Sequence, residues 1–404
     1  MKRLSVSLAA VAALSLVPAE AFPCGALVPV ESSSTTTQSN ASAEAQRAFI
    51  QIGPDTTKLH VQLTAKSSAE DFAWVLPVPK DAKLGVADPS LFTELDDETA
   101  PKVKVTRKTT THESSSSEGG GGAGCGSAPR AGGAEDLSTP DAGARASNRV
   151  DHFGGGKIGN YQYDVIGSKD AKVVEDWLSN NGYSVPSDLA EAIKPYTDNG
   201  MAIAGVKLSG KADQQQNPDP LTIESSTPGN EEIVYPLKMS SLSAPETTPV
   251  VLYVAGPTRY QVKGFKNSVL DDVAEQMGDQ VRNGNDEHYD TAVDSLSDSK
   301  PVAVTEYARD VDGNGCFTAS CPKAVEDNLE KDSPFLTRLY MRIPKGDLQD
   351  VQLTKSSSTD AVEPTASVTV DLTTASNELT SGLTAAALPF SLVLFALFGL
   401  RRRQ

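Results

Sequence analysis

From residue 47 onward the apolar positions fall into two rhythms. Leu59, Val61 and Leu63 alternate with His60 and Gln62, so residues 58–65 are predicted as a strand with one buried face. Residues 47–52 read the same way. Residues 71–79, DFAWVLPVP, are apolar on both sides: Phe72, Trp74, Leu76 and Val78 point one way, Ala73 and Val75 the other. Pro77 and Pro79 remove ladder donors, so the second half of this strand must leave the sheet or lie at its edge. Further strands are predicted over 102–109, 161–166, 201–208, 221–224, 232–238, 250–255, 302–307 and 335–343.

The second rhythm is helical. Asp88 is placed as an N-cap with Pro89 in the first turn, and Leu91, Phe92 and Leu95 form a buried stripe that Pro101 ends. Val173, Val174, Trp177 and Leu178 mark an amphipathic helix over 169–181, stopped by Asn181-Gly182. Ser187 or Asp188 caps a short helix carrying Leu189, Ile193 and Tyr196, and residues 269–277 form another. The fold class predicted is α+β: a mostly antiparallel sheet core with a few packed helices.

Both rhythms fail in three places. Residues 31–45 are polar, and 22–45 read as a flexible mature N-terminus. Residues 112–157 are dominated by glycine, serine and alanine, cannot bury enough surface to offset ordering entropy, and read as a disordered insertion. Residues 354–382 are rich in Ser and Thr and read as a stalk. Residues 46–353 then form a single extracytoplasmic domain, interrupted by that insertion.

The two ends carry patterns of their own. Lys2 and Arg3 precede an apolar run, and Ala19-Glu20-Ala21 fits a cleavage site, so residues 1–21 read as a signal peptide with a mature start at Phe22. Phe22 and Pro23 before Cys24 do not fit a lipidation site. Residues 383–400 carry no charge and span about 27 Å as a helix, enough for one membrane crossing. Arg401, Arg402 and Arg403 follow, which makes 401–404 a cytoplasmic tail and puts the body outside. This end is similar to bacterial protein-sorting tails, although Thr380-Ser381-Gly382 supplies no recognition motif before the span.

The 404 residues carry a net charge of −17, which argues against nucleic acid and anionic headgroups as partners. Export places the four cysteines in an oxidising compartment. Cys316 and Cys321 bracket a short loop and are expected to pair; Cys24 with Cys125 is a second pairing. The chain contains neither a nucleophile elbow nor a paired-histidine zinc motif. Of its histidines, His112 and His152 fall in the glycine-rich segment and His60 on a strand's polar face, where it is expected to be solvated. Asp96, Asp97 and Glu98 also read as solvated.

The sharpest local signal is Asp310-Val311-Asp312-Gly313-Asn314-Gly315, the first half of a calcium loop. Asp310, Asp312 and Asn314 are the candidate ligands, against the plain reading of an Asp/Asn/Gly turn. The twelfth position is Cys321 rather than Glu, so affinity is expected to be weak.

Taken together, DFAWVLPVP, DPSLFTELDDETAP, DAKVVEDWLSNNGYSVP, GMAIAGVKL and SPFLTRLYMRIP resemble an exported bacterial family known as domain of unknown function 2330. The resemblance covers residues 46–353 and implies one exported domain with no assigned catalytic residue or cofactor. The expected function is an exported, membrane-anchored cell-envelope protein acting as a binding or structural surface module, with an envelope protein or polysaccharide as partner. An extracytoplasmic hydrolase and a calcium-dependent adhesion module are the alternatives.

Overall fold

Period-two alternation governs nearly half of the described residues. The computed structural model describes residues 26–30, 41–67, 71–108, 149–209, 215–226, 233–310, 323–326 and 334–372. The first strands are β1 (Ala26–Pro29), β2 (Ala41–Ile52), β3 (Thr57–Ser67), β4 (Asp71–Val78) and β5 (Lys83–Val86), followed by α1 (Leu91–Thr99) and β6 (Lys102–Lys108). Next come β7 (Asp151–Ile158), β8 (Tyr161–Gly167), α2 (Ala171–Asn180), α3 (Leu189–Asp198) and β9 (Ala202–Ser209). Short strands β10 (Gln215–Gln216), β11 (Leu221–Ser225) and β12 (Ile233–Tyr235) lead to β13 (Thr247–Gly256), β14 (Tyr260–Val262) and β15 (Lys266–Val269). The remainder is α4 (Leu270–Arg282), α5 (Tyr289–Ser295), β16 (Val302–Asp310), the single turn α6 (Lys323–Glu326), β17 (Phe335–Pro344), β18 (Val351–Lys355) and β19 (Thr365–Asp371).

Two sheets face each other. A nine-stranded sheet runs β15-β16-β17-β13-β2-β3-β11-β5, with β10 on β3, and an antiparallel five-stranded sheet runs β1-β4-β9-β8-β7. Ile50, Val61, Leu252 and Leu339 from the first meet Phe72, Trp74, Leu76 and Ala204 from the second in one buried core. The small sheet β12-β18-β14 adds Tyr235 and Leu353 to it. Ala73, Val75, Ile166 and Ile203 line the outer face of the five-stranded sheet and pack on Val174, Leu178, Leu189 and Ile193 of α2 and α3. The two-faced reading of DFAWVLPVP is therefore correct. Its proline reading is too: β1 pairs only Phe72–Val75, so Pro77 lies where that edge of β4 is open.

The outer face of the nine-stranded sheet is covered by α1 and α6 at one place and by α4 and α5 at another. The stripe Leu91, Phe92 and Leu95 is buried as expected. The cap is shifted: Ser90 holds the N-cap position, and Asp88 accepts from its amide at 2.9 Å and its hydroxyl at 2.8 Å. In α2, Asp170 caps the helix by accepting from the Lys172 amide. Gly205 on β9 leaves room for Tyr183: a Cβ there would meet the phenol oxygen at 2.6 Å. The fold class is α+β and mostly antiparallel, with parallel pairs at β2–β13, β15–β16 and β6–β19.

Three boundary expectations need correcting. Residues 151–157, assigned to the disordered insertion, belong to β7 and pair with β8. Glycine gives no apolar rhythm, but the partner strand supplies its order. Residues 26–29 and 41–45, assigned to a flexible N-terminus, are strand. The stalk is the largest correction: β19 pairs in parallel with β6 along seven residues, Thr365↔Lys102 to Asp371↔Lys108. This ribbon lies on α4, where Ala366 and Val368 meet Leu270 and Ala274. Thr, Ser and Val suit an edge strand as well as a stalk, and the contact with α4 decides between them. Among the described residues no helix is long and apolar enough to cross a membrane. Residues 1–21, 383–400 and 401–404 lie outside those described.

Candidate functional site

Beneath α1, the outer face of the nine-stranded sheet carries charge. On β17 Leu336, Arg338 and Tyr340 share one side of the strand; Tyr253 on β13 and Arg47 on β2 bring two more polar groups to it. Position 96 falls on the inward stripe of α1, four residues after Phe92 and three before Thr99. Arg338 Nη1 donates to Asp96 Oδ1 at 2.7 Å, and Arg47 Nη1 donates to Asp96 Oδ2 at 2.6 Å. The Tyr253 hydroxyl donates to Asp96 Oδ1 at 2.5 Å. On its other side Arg338 Nε donates to Glu306 Oε2 at 2.6 Å, and Tyr289 from α5 donates to Glu306 Oε1, also at 2.6 Å. Arg47 Nη2 continues the chain to Gln62 Oε1, whose amide donates to the Pro218 carbonyl. One polar seam thus crosses the sheet and ties down α1 and α5.

Its electrostatics follow from burial. The Arg338 side chain is 8% exposed and that of Glu306 2%, so neither charge is tolerable without the other. Burial pushes the Glu306 carboxyl above its ordinary range, against the pull of Arg338 and the Tyr289 hydroxyl. Burial also pushes Asp96 up, but Arg338, the Tyr253 hydroxyl and Arg47 together hold it below the usual carboxylate range. Tyr253 is raised well above a normal phenol, chiefly by burial. His60 sits on the same face, stacked on Phe49, with Nδ1 2.9 Å from the Thr222 hydroxyl. Burial, helped by the Lys58 charge, pushes its pKa down to about 3.

The five-stranded sheet offers the opposite. At its β7 edge a bulge between His152 and Gly154 makes Phe153 an extra, unpaired residue. Phe153 remains 40% exposed. Its ring lies against Gly167, where a Cβ would meet Cε2 at 2.8 Å. The Lys80 ammonium stands 5.7 Å from the ring centroid. These residues, with Asp151, Lys169 and Asp198, line a cleft of about 290 Å³. On the other face of this sheet Lys207 lies 4.5 Å from the Tyr183 ring centroid and donates to the Asn181 carbonyl. Burial lowers Lys207 and raises the neighbouring Asp164.

Two expectations about polar residues are overturned. Asp96, read as solvated, is the half-buried hub of the seam, its side chain 31% exposed; of its run, Asp97 is exposed and Glu98 half-buried. The stripe spacing from Phe92 to Thr99 carried the signal. His60, placed on a solvated face, is 1% exposed, because the outer face of its sheet is covered as well. Asp310 ends β16 and is exposed. Asp312, Asn314, Cys316, Cys321, Cys24 and Cys125 lie outside the described residues. Among the described residues no three His, Cys, Asp or Glu side chains gather as a metal site would need.

A family described as "Uncharacterized protein conserved in bacteria (DUF2330)" matches residues 18–354. No curated protein matches the chain. Among solved structures, a mutated baculovirus P35 after caspase cleavage is similar at 13% identity and a TM-score of 0.31. The similarity covers 81% of this chain and 100% of that one, and it is too loose to carry an argument.

Proposed function

The chain belongs to the uncharacterised bacterial family DUF2330, and from there we propose that it is an exported, membrane-anchored cell-envelope protein whose body is a binding module. The observation that carries the binding reading is the β7 cleft, where an aromatic ring and cationic side chains stay open, whereas buried Arg338 and Glu306 pair internally. The signal-like residues 1–21 and the uncharged stretch 383–400 before Arg401–Arg403 support the location. An envelope protein or a polysaccharide is the partner class. The test is co-sedimentation of the purified chain with isolated cell envelopes, beside protease shaving of intact cells. Binding that Phe153→Ala weakens, and a body that external protease removes, are expected; a chain found wholly in the cytoplasm would sink the reading.

Two further readings have one observation each. Burial-raised Asp164 beside Lys207 has the character of a general acid, which favours an extracytoplasmic hydrolase. Loss of hydrolysis of envelope polymers in Asp164→Asn would support it, and no hydrolysis by the native chain would end it. The Asp310, Asp312 and Asn314 spacing favours a calcium-dependent adhesion module. Calorimetry with calcium chloride, expected to give heat that Asp312→Ala abolishes, decides that one.

A further inference from the structure

We propose that the β7 cleft takes an acidic saccharide, with the Phe153 ring against an apolar sugar face and Lys80 and Lys169 pairing with its carboxylate. This rests on the binding-module reading above and names the ligand class. The first support is the ring itself. Only two large apolar side chains stay exposed among the described residues, Val86 at 41% and Phe153 at 40%. Phe153 is held out by the bulge and seated on Gly167, where any side chain would displace it. The ring is 40% exposed, with Lys80 over it and Gly167 against its edge; a sugar's C–H surface stacks on such an aromatic, and aromatic contacts of this kind add affinity beyond the area they bury.

The second support is charge. In a chain of net charge −17, Lys80 and Lys169 meet no carboxylate among the described residues. Asp198, also in the lining, is already paired with Lys194 at 2.6 Å. That leaves Asp151 as the free acid of the cleft. The lining holds two cations and two anions; with Lys194 outside it pairing Asp198, the local balance is a net of one positive charge. It suits a single carboxylate and is too small for a doubly charged phosphate. Asp151 remains available to accept from sugar hydroxyls. At about 290 Å³ the cleft is at the small end for ligand sites and fits about one or two rings of a longer glycan.

The test is calorimetry of the purified full chain with trigalacturonate, maltotriose and triglutamate at low salt. Trigalacturonate is expected to bind at least tenfold more tightly than either control, since it alone combines ring and carboxylate. Phe153→Ala should weaken it about tenfold. Lys80→Ala combined with Lys169→Ala should reduce it to the level of maltotriose, and both variants should unfold at the native temperature, being surface changes. Absence of trigalacturonate binding, equal binding of triglutamate, or full retention of binding in Phe153→Ala would overturn the proposal. If envelopes still bind while trigalacturonate does not, the ligand class falls and the binding-module reading stands.

Discussion

The seam under α1 and the cleft at β7 are built from the same kinds of residue and use them in opposite ways. In the seam, two arginines converge on Asp96, a third contact fixes Glu306, and phenols fill the remaining valences. In the cleft, a ring and two ammonium groups make no ion pair with a carboxylate among the described residues. A buried charge pair is costly to break, because the partner left behind has no water to turn to. An exposed, unpaired cation costs the fold almost nothing and is free to meet a ligand. Satisfaction, more than residue type, separates scaffold from site in this chain.

That contrast can be broken at four points. Arg338→Met leaves the Glu306 carboxylate, 2% exposed, without its cation, and should lower unfolding free energy by about 3–5 kcal/mol in denaturant titrations. His60 gives the next largest effect, and it depends on pH. The folded chain keeps the imidazole neutral down to about 3, whereas the unfolded chain takes up a proton near the ordinary value of 6.5. Bound protons then favour the unfolded state, so stability should fall as pH drops below about 6.5, by up to about 1.4 kcal/mol per pH unit. His60→Gln should remove this slope, and a parallel pH profile for the two proteins would refute the assignment.

Arg47→Met probes the rim of the seam. It shares Asp96 with Arg338, yet its side chain is 29% exposed against 8%. Solvent screens it, so the loss should be about 1 kcal/mol or less. A loss equal to that of Arg338→Met would show that the whole seam is equally dry. The smallest effect belongs to the cleft: Lys80→Ala with Lys169→Ala should shift stability by less than about 0.5 kcal/mol, measured by thermal unfolding. A large shift would mean that the two lysines hold the fold together.

Local rhythm made much of the scaffold legible. The two faces of β4, the stripe of α1 and the packing face of α2 follow from spacing alone. The seam was harder to read because it depends on which outer face is covered. Arg338 and His60 sit on strands whose alternation marks one face as polar, and only the arrival of α1, α4 and α5 makes that face dry. Asp96 was hidden by its neighbours Asp97 and Glu98, although the spacing from Phe92 pointed inward. The cleft left almost no trace: Phe153 stands before three glycines, in a strand without alternation, and a bulge rather than a pattern exposes it. In β19, Ala366, Val368 and Val370 do alternate, but the surrounding serines and threonines outweighed that signal.

The ribbon of β6 and β19 gives the C-terminal end a mechanical property. Asp371 lies beside Lys108, and the Leu372 amide donates to the Lys108 carbonyl at 2.9 Å. Traction on the chain beyond residue 372 therefore runs along β19 and loads its seven rungs together, in shear. Behind them, the Ala308↔Val362 bridge and the Arg259 contact with the Asp360 carbonyl form a second stop. A pull on the tail is borne first by this clamp, which rests on α4 and on Ala308 of β16.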